Sequence, residues 1–315
     1  MDGADAKLLA AALVGNTALQ TLTARYGVYM TNAAAAQLER ALGQSCVVRA
    51  ELFGRSYSHN GRRVVRDYRE DSNATLRSLC VANAVRRVIA NDPALVEIDW
   101  SNMGLEDDNI CTLASSLHSN SKLQHIRLSN NRSISDQAVE TLASALKMCA
   151  CLRVDIDGCH RVSREAASHL RAVWVANTCR RVKADDSSLA EIDWSNTEAD
   201  DDDLCMLAVA LQGTSIVNTV TLAHNRRIGD VGAGALQEAL HRCAVVAVAL
   251  DVTSVGEPLK VEIRRLCVAN AVRRIAANDR GLVELDWRVM WRKFTRSIEH
   301  VHPYSAIVEF ACGRI

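Results

Sequence analysis

Residues 81–102 read VANAVRRVIANDPALVEIDWSN. The same string returns as VANTCRRVKADDSSLAEIDWSN at 175–196 and as VANAVRRIAANDRGLVELDW at 268–287. The copies start at Val81, Val175 and Val268, which are 94 and 93 residues apart. Self-similarity at a fixed period marks a stacked repeat, in which each unit buries its apolar side against the next. A shorter pattern runs inside each copy: apolar, two residues, apolar, one residue, apolar. It stands at Leu95-Ile98-Trp100, Leu123-Ile126-Leu128 and Cys151-Val154-Ile156. It returns at Leu189-Ile192-Trp194, Val217-Val220-Leu222 and Val245-Val248-Leu250, and Leu282-Leu285-Trp287 opens a further copy. Leu19-Leu22-Ala24 and Val47-Ala50-Leu52 lie upstream.

The steps between these triplets are 28, 28 and 38 residues in one unit and 28, 28 and 37 in the next. Each triplet reads as a short strand, followed by a turn and a helix. In Asp136–Lys147 the apolar residues Ala138, Leu142, Ala145 and Leu146 share one helical face, with Ser135 or Asp136 as the N-cap. Every third helix is longer, as at Ser163 to about Ala184. The pattern LxxLxLxxN, with asparagine at 102, 130 and 196 and Gly158 and His224 elsewhere, resembles leucine-rich repeats of the ribonuclease-inhibitor type. The expected fold is an α/β leucine-rich-repeat solenoid: a curved horseshoe with parallel strands on its concave side and helices on its convex side. It spans 1–291 as one domain of about nine repeats, with an exposed loop insertion near 56–71 and an irregular tail or cap at 292–315. Trp100, Trp194 and Trp287 are expected to point into the core.

Asn91-Asp-Pro-Ala-Leu-Val-Glu-Ile-Asp-Trp-Ser-Asn102 resembles the start of the tropomodulin and leiomodin repeat domain, where a helix ends in Asn-Asp-Pro and a Leu-x-Glu-x-x-x-Asn strand follows. His118–Ile126 and Leu9–Leu22 are similar to that family's repeat junctions. The resemblance covers roughly residues 4–287. It implies the repeat fold and an actin contact, since family members cap actin filaments at pointed ends. The stretch before the first strand is read as lacking the family's tropomyosin-binding segments, and the module here recurs in tandem. The fold is therefore carried over, and no individual actin-binding residue is.

Composition narrows the function. The 37 basic and 37 acidic side chains cancel, whereas a nucleic-acid binder needs a basic surplus. No apolar run reaches membrane-helix length. The start, Met1-Asp-Gly-Ala-Asp, is acidic where a secretory signal is basic. The chain reads as cytoplasmic, with the cytoskeleton or a flagellum as its setting. Oligomeric state is left open.

Candidate chemistry resolves into repeat columns. Cys111 and Cys205 are one period apart, as are Cys149 and Cys243, while Cys80, Trp174 and Cys267 share a column. A column that accepts Trp for Cys serves packing. Cys149, Cys151, Cys159 and His160 form the densest cluster, but without a CxxC pair they point away from zinc. The acidic run Glu198–Asp203 matches Glu106-Asp107-Asp108 and precedes a helix, so it reads as a cap, not a calcium loop. Gly229-Asp-Val-Gly-Ala-Gly234 resembles a phosphate loop, yet its partner one period back, Ser135–Glu140, has no glycine. GxSxG, Walker A and GxGxxG motifs are absent, and the nine histidines share no spacing with acids or serines. The expectation is a non-enzyme without cofactor or metal.

The strand faces carry the usable signal. Residues at the outward positions of the pattern form the candidate binding face: Glu97, Asp99, Arg127, Arg153, Asp155, Glu191, Asp193, Glu284 and Asp286. This wall reads as acidic in bands, with Arg127 and Arg153 between them, and fits a basic partner element. Arg86/Arg87, Arg180/Arg181 and Arg273/Arg274 lie at helix ends, where they answer the helix dipole or form a basic ridge. The functional expectation is a protein–protein interaction scaffold of tropomodulin-like kind, bound to actin or another filament. The competing expectation is an adaptor unrelated to actin, in an axoneme or a signalling complex.

Overall fold

The computed structural model describes residues 3–26, 32–54 and 71–279. Helices and strands alternate: α1 (Gly3–Leu13), β1 (Thr21–Tyr26), α2 (Asn32–Gly43), β2 (Arg49–Gly54), α3 (Asp71–Ile89), β3 (Glu97–Asp99), α4 (Asp107–Ser116), β4 (His125–Arg127) and α5 (Asp136–Leu146). The order continues through β5 (Arg153–Asp155), α6 (Arg164–Lys183), β6 (Glu191–Asp193), α7 (Asp201–Leu211), β7 (Thr219–Thr221), α8 (Asp230–Leu240), β8 (Ala247–Ala249) and α9 (Glu257–Ala276). The strands form three parallel sheets, β1-β2, β3-β4-β5 and β6-β7-β8. This is an α/β solenoid of leucine-rich-repeat type. The chain divides into two compact units, residues 1–174 and 175–315, with the boundary inside α6. The expected strand at Leu282–Trp287, most of the loop insertion near 56–71 and the tail at 292–315 lie outside the described residues. So do Glu284, Asp286 and Trp287.

The repeat pattern works because the inward positions of each strand fill one core. Leu95, Ile98 and Trp100 are buried, as are Leu123, Ile126 and Leu128 one repeat on. Leu189, Ile192 and Trp194 repeat the arrangement in the second unit. A buried indole needs a partner for its N–H. Trp100 Nε1 donates to the carbonyl of Val48 at 2.9 Å and so ties β3's repeat to the one before it.

The residue closing each strand has left-handed backbone: Asn102, Asn130, Gly158, Asn196, His224 and Val252, with φ between 54° and 72°. Asparagine and glycine tolerate this region, whereas Val252 adopts it against the steric preference of a β-branched residue. At Gly158 a Cβ would also meet Asn130 Oδ1, so that side chain would have to move. The ladder asparagine is not this residue but the next one. Asn131 is fully buried, donates to the carbonyls of Trp100 and Leu128 at 2.9 and 2.6 Å, and accepts from Leu105 N at 3.0 Å. Asn225, 94 residues on, donates to the carbonyls of Trp194 and Leu222 and accepts from Thr197 and Ala199. The buried side chain satisfies backbone groups that the turn leaves orphaned.

Replacing Trp194 with alanine removes a side chain that is 1% exposed. Urea denaturation is expected to show a loss of about 3–5 kcal/mol. A change within experimental error would place the indole outside the core.

Candidate interaction face

Three elements of the repeat motif combine in the turn from long helix to strand. Asn91, Asp185 and Asn278 are left-handed, with φ of 50–52°. Asp92 N donates to Arg87 O and Asn91 N to Val88 O, the Schellman pattern of a helix C-terminus. The pairs Asp186–Arg181 and Asp279–Arg274 repeat it. The same residues then close a side-chain clasp. Arg87, Arg181 and Arg274 donate through Nε to Asp92, Asp186 and Asp279 at 2.6, 2.8 and 2.6 Å. These three arginines are 4–8% exposed. The second arginine of each pair is therefore a buried strut, not part of the basic ridge expected at these helix ends. Arg86, the exposed partner, donates to Ser45 O and to Asn83 Oδ1. Asn83 in turn donates to the carbonyls of Leu42 and Val47, and Asn270 makes the equivalent bonds to Leu240 and Val245.

The candidate face divides by unit. In the first three-stranded sheet, β3-β4-β5, the register sets Glu97, His125 and Arg153 in one row and Asp99, Arg127 and Asp155 in the other. Opposite charges therefore meet across strands. Arg127 pairs with Glu97 at 3.0 Å and with Asp155 at 3.8 Å, Arg153 with Asp155 at 2.7 Å, and Arg49 with Asp99 at 2.7 Å. The acidic band expected here is a neutralised network instead. The register sets Arg127 between Asp99 and Asp155, while Arg153 meets Asp155 along its own strand. Burial holds His125 below the ordinary imidazole value, with Arg153 and Arg127 adding to it against Glu97 and Asp155. In the second sheet the rows are Glu191, Thr219, Ala247 and Asp193, Thr221, Ala249. Glu191 and Asp193 are exposed, and Asp193 accepts from Ser195 N at 2.8 Å. The remaining positions of that face are short.

The acidic helix starts bind neighbouring repeats. The first residue of each of four helices is an aspartate whose carboxylate accepts the amide that opens the next helix. Asp107 takes Ser135 N at 2.8 Å, Asp136 takes Ser163 N at 2.6 Å, Asp201 takes Gly229 N at 2.7 Å and Asp230 takes Gly256 N at 2.7 Å. The carboxylate also meets the positive end of its own helix. Asp200 and Asp203 form a reciprocal capping box at the start of α7. The run Glu198–Asp203 is thus a cap, as its position predicted, but Asp201 also joins repeats and Asp203 is buried. The glycine-rich stretch has the same explanation. Gly229 and Gly232 both give their N–H to Asp201, so a carboxylate of the chain fills the place a phosphate would take. Reading Asp107, Asp136 and Asp201 as caps missed that they join repeats, although 107 and 201, and 136 and 230, are each 94 apart.

The ten described cysteines are free thiols. Burial pushes Cys80 and Cys179 up to about 11 and Cys267 up to about 12. Cys149 and Cys151 hydrogen-bond to backbone carbonyls, as does Cys159, whose partner is Leu128 O at 3.3 Å. Among the described residues no group of His, Cys, Asp or Glu is placed to hold a metal ion. No described helix is long and apolar enough to cross a membrane.

No family model matches the chain, and no curated protein matches it. Solved structures do. Leiomodin-1 actin-binding site 2 is 13% identical, over 62% of this chain and 92% of its own, with a TM-score of 0.31. The tropomodulin C-terminal domain of Caenorhabditis elegans is 13% identical, over 63% of this chain and 97% of its own, with a TM-score of 0.32. A chain of the yeast Rad7–Elc1 complex is 11% identical, over 81% and 68%, with a TM-score of 0.37.

Two predictions follow from the caps and clasps. Asp107 lies below the ordinary carboxylate range, chiefly through the Ser135 hydroxyl, then the Ser135 amide and Arg161. The Ala94 amide and then Arg87 do the same for Asp92. At Asp186 burial opposes the shift, and Ser188 and Arg181 outweigh it. Folded values below unfolded ones stabilise fully above about pH 4, and the contribution is lost as pH falls through the folded values. The denaturation midpoint is expected to drop below pH 4, with a shallower drop in Asp107→Asn. An unchanged acid slope in that variant would remove the Asp107–Ser135 bond from the account.

The glycines of α8 give an opposed pair. A Cβ on Gly232 would stand 2.8 Å from Asp201 Oδ1 and 3.0 Å from its Cα, while one on Gly234 meets nothing within 4 Å. Gly232→Ala is expected to cost about 1–3 kcal/mol by overpacking. Gly234→Ala is expected to stabilise by about 0.5–1 kcal/mol through helix propensity. Equal effects in urea titrations would contradict the close approach of Asp201 to α8.

Proposed function

We propose that this protein is a non-catalytic protein–protein interaction scaffold, tropomodulin-like in kind, which receives its partner on the strand face. The observation that carries this reading is the pairing register, which presents two aligned rows of outward side chains on each three-stranded sheet. Repeat proteins bind along such faces. A catalytic reading finds no support on the face, where the arginines and carboxylates of the first sheet pair with each other. The sheet β6-β7-β8 is the better docking platform, because Thr219, Thr221 and Ala249 are short, half-buried side chains beside exposed Glu191. A partner with basic groups fits that acidic edge. A cytoskeletal filament, actin first, is the partner class proposed; the Asn91–Asn102 resemblance supports it. The setting proposed is the cytoplasm.

Purified chain is expected to co-sediment with actin filaments in a salt-sensitive manner, because exposed charges are screened within about 8–10 Å near physiological ionic strength. Slowing of pointed-end growth is expected to be weak, since one face gains nothing from a linked second contact. The variant Glu191→Lys/Thr219→Lys should lose co-sedimentation and keep its thermal midpoint. Glu97 and Asp99 are unsuitable for this test, because reversing them breaks the pairs with Arg127 and Arg49. Undiminished co-sedimentation of the double variant would exclude the face. No co-sedimentation of the parent chain would exclude actin and favour an axonemal or signalling adaptor.

A further inference from the structure

The first two arginine clasps differ by one side-chain oxygen. In the middle copy Ser188 Oγ accepts from Arg181 Nη2 at 2.9 Å and donates to Asp186 Oδ1 at 2.8 Å. The serine hydroxyl is thus a bridge between guanidinium and carboxylate. In the first copy the equivalent position is Ala94. The backbone there is the same, with Ala94 N donating to Asp92 Oδ1 at 2.9 Å where Ser188 N donates to Asp186 Oδ1 at 3.0 Å. The guanidinium is also held the same way. Arg87 Nε donates to Asp92 Oδ2 at 2.6 Å and Nη1 to Cys46 O at 3.0 Å. Its Nη2, however, is buried and has no acceptor among the described residues, and Arg274 Nη2 in the third copy likewise has none among them.

We propose that an ordered water molecule takes the place of the Ser188 hydroxyl in the first copy, accepting from Arg87 Nη2 and donating to Asp92 Oδ1. Buried donors in native proteins find a partner, and ordered water supplies it where the side chains do not. The charges on either side select the ligand. An anion would be repelled by the Asp92 carboxylate and a cation by the Arg87 guanidinium. A small neutral group that accepts on one side and donates on the other satisfies both. Water does so, and it fills the space left by exchanging a hydroxymethyl group for a methyl group. Each of these two clasps then has three parts: arginine, aspartate and a bridging oxygen. The oxygen is covalently attached in the middle copy and drawn from solvent in the first.

The test uses the full chain. High-resolution crystal structures of the parent and of Ala94→Ser are compared at this position. Ala94 is exposed, so the substitution leaves the core untouched. In the parent a solvent peak is expected within about 2.7–3.2 Å of both Arg87 Nη2 and an Asp92 carboxylate oxygen. In Ala94→Ser that peak should vanish, with serine Oγ in its place. The reverse exchange, Ser188→Ala, should gain a peak between Arg181 and Asp186. No peak beside Arg87 in the parent, or a peak that persists beside the new serine, would overturn the proposal.

Discussion

A buried guanidinium closed onto the aspartate five residues on sets the geometry on which each long repeat depends. Arg87 and Arg181 stand at the last turn of a helix that must end, reverse and feed a strand within a few residues, and Arg274 holds the same place in α9. The left-handed residue ends the helix, and the arginine–aspartate clasp fixes the direction in which the chain leaves. Burying a charge is costly, and removing one partner of a buried pair is costlier, at about 3–5 kcal/mol. The clasp therefore tolerates neither half alone. Its carboxylate does double service, because Asp92 Oδ1 also accepts from Ala94 N and so caps the turn that begins the strand. Helix end, turn and strand start are one hydrogen-bonded unit, and this explains why the motif recurs as a block.

From that unit the stacking follows. Once the strand direction is set, successive strands pair in parallel, and the residue after each left-handed turn faces inward. That is where Asn131 and Asn225 satisfy the backbone of the preceding repeat. On the helix side the first-turn aspartates do the same work, each carboxylate joining one helix start to the next. Apolar packing fills the space between, and polar side chains index one repeat against its neighbour. Hydrophobic burial is non-directional; these hydrogen bonds supply the register it lacks.

The fold was legible in the sequence because period and strand pattern are properties of backbone geometry. The LxxLxL triplets landed on the strands, and Trp100 and Trp194 landed in the core. The site was less legible, for two physical reasons. A charged residue can face water, pair across a strand or cap a helix, and the sequence alone does not say which. The arginine pairs looked like surface charge, yet the second member is buried in each copy. The Leu-x-x-Leu-x-Leu-x-x-Asn pattern also drew attention to Asn130, whose backbone does the work, and away from Asn131, whose side chain does. The asparagines at 131 and 225, one period apart, were the available signal.

Internal repetition also separates what folding requires from what it permits. Residues that recur at the period, the clasp, the turn asparagines and the cap aspartates, are explained by hydrogen bonds that each repeat needs. Residues that change at equivalent positions are not so constrained. One period after His125, Arg127, Arg153 and Asp155 stand Thr219, Thr221, Ala247 and Ala249, in the same register on the same kind of sheet. The second unit forms its sheet without that charge network, so the fold does not demand it. The two faces then offer different chemistry, a neutralised polar network on one and short, uncharged side chains beside exposed Glu191 on the other. Glu97 and Glu191 are the instructive exception, since the identical residue occupies both faces. Beside Arg127 it is held in a 3.0 Å ion pair, and beside Thr219 its neighbour carries no charge. The same carboxylate is thus spent inside the protein in one unit and presented outward in the other, and the cross-strand neighbour decides which.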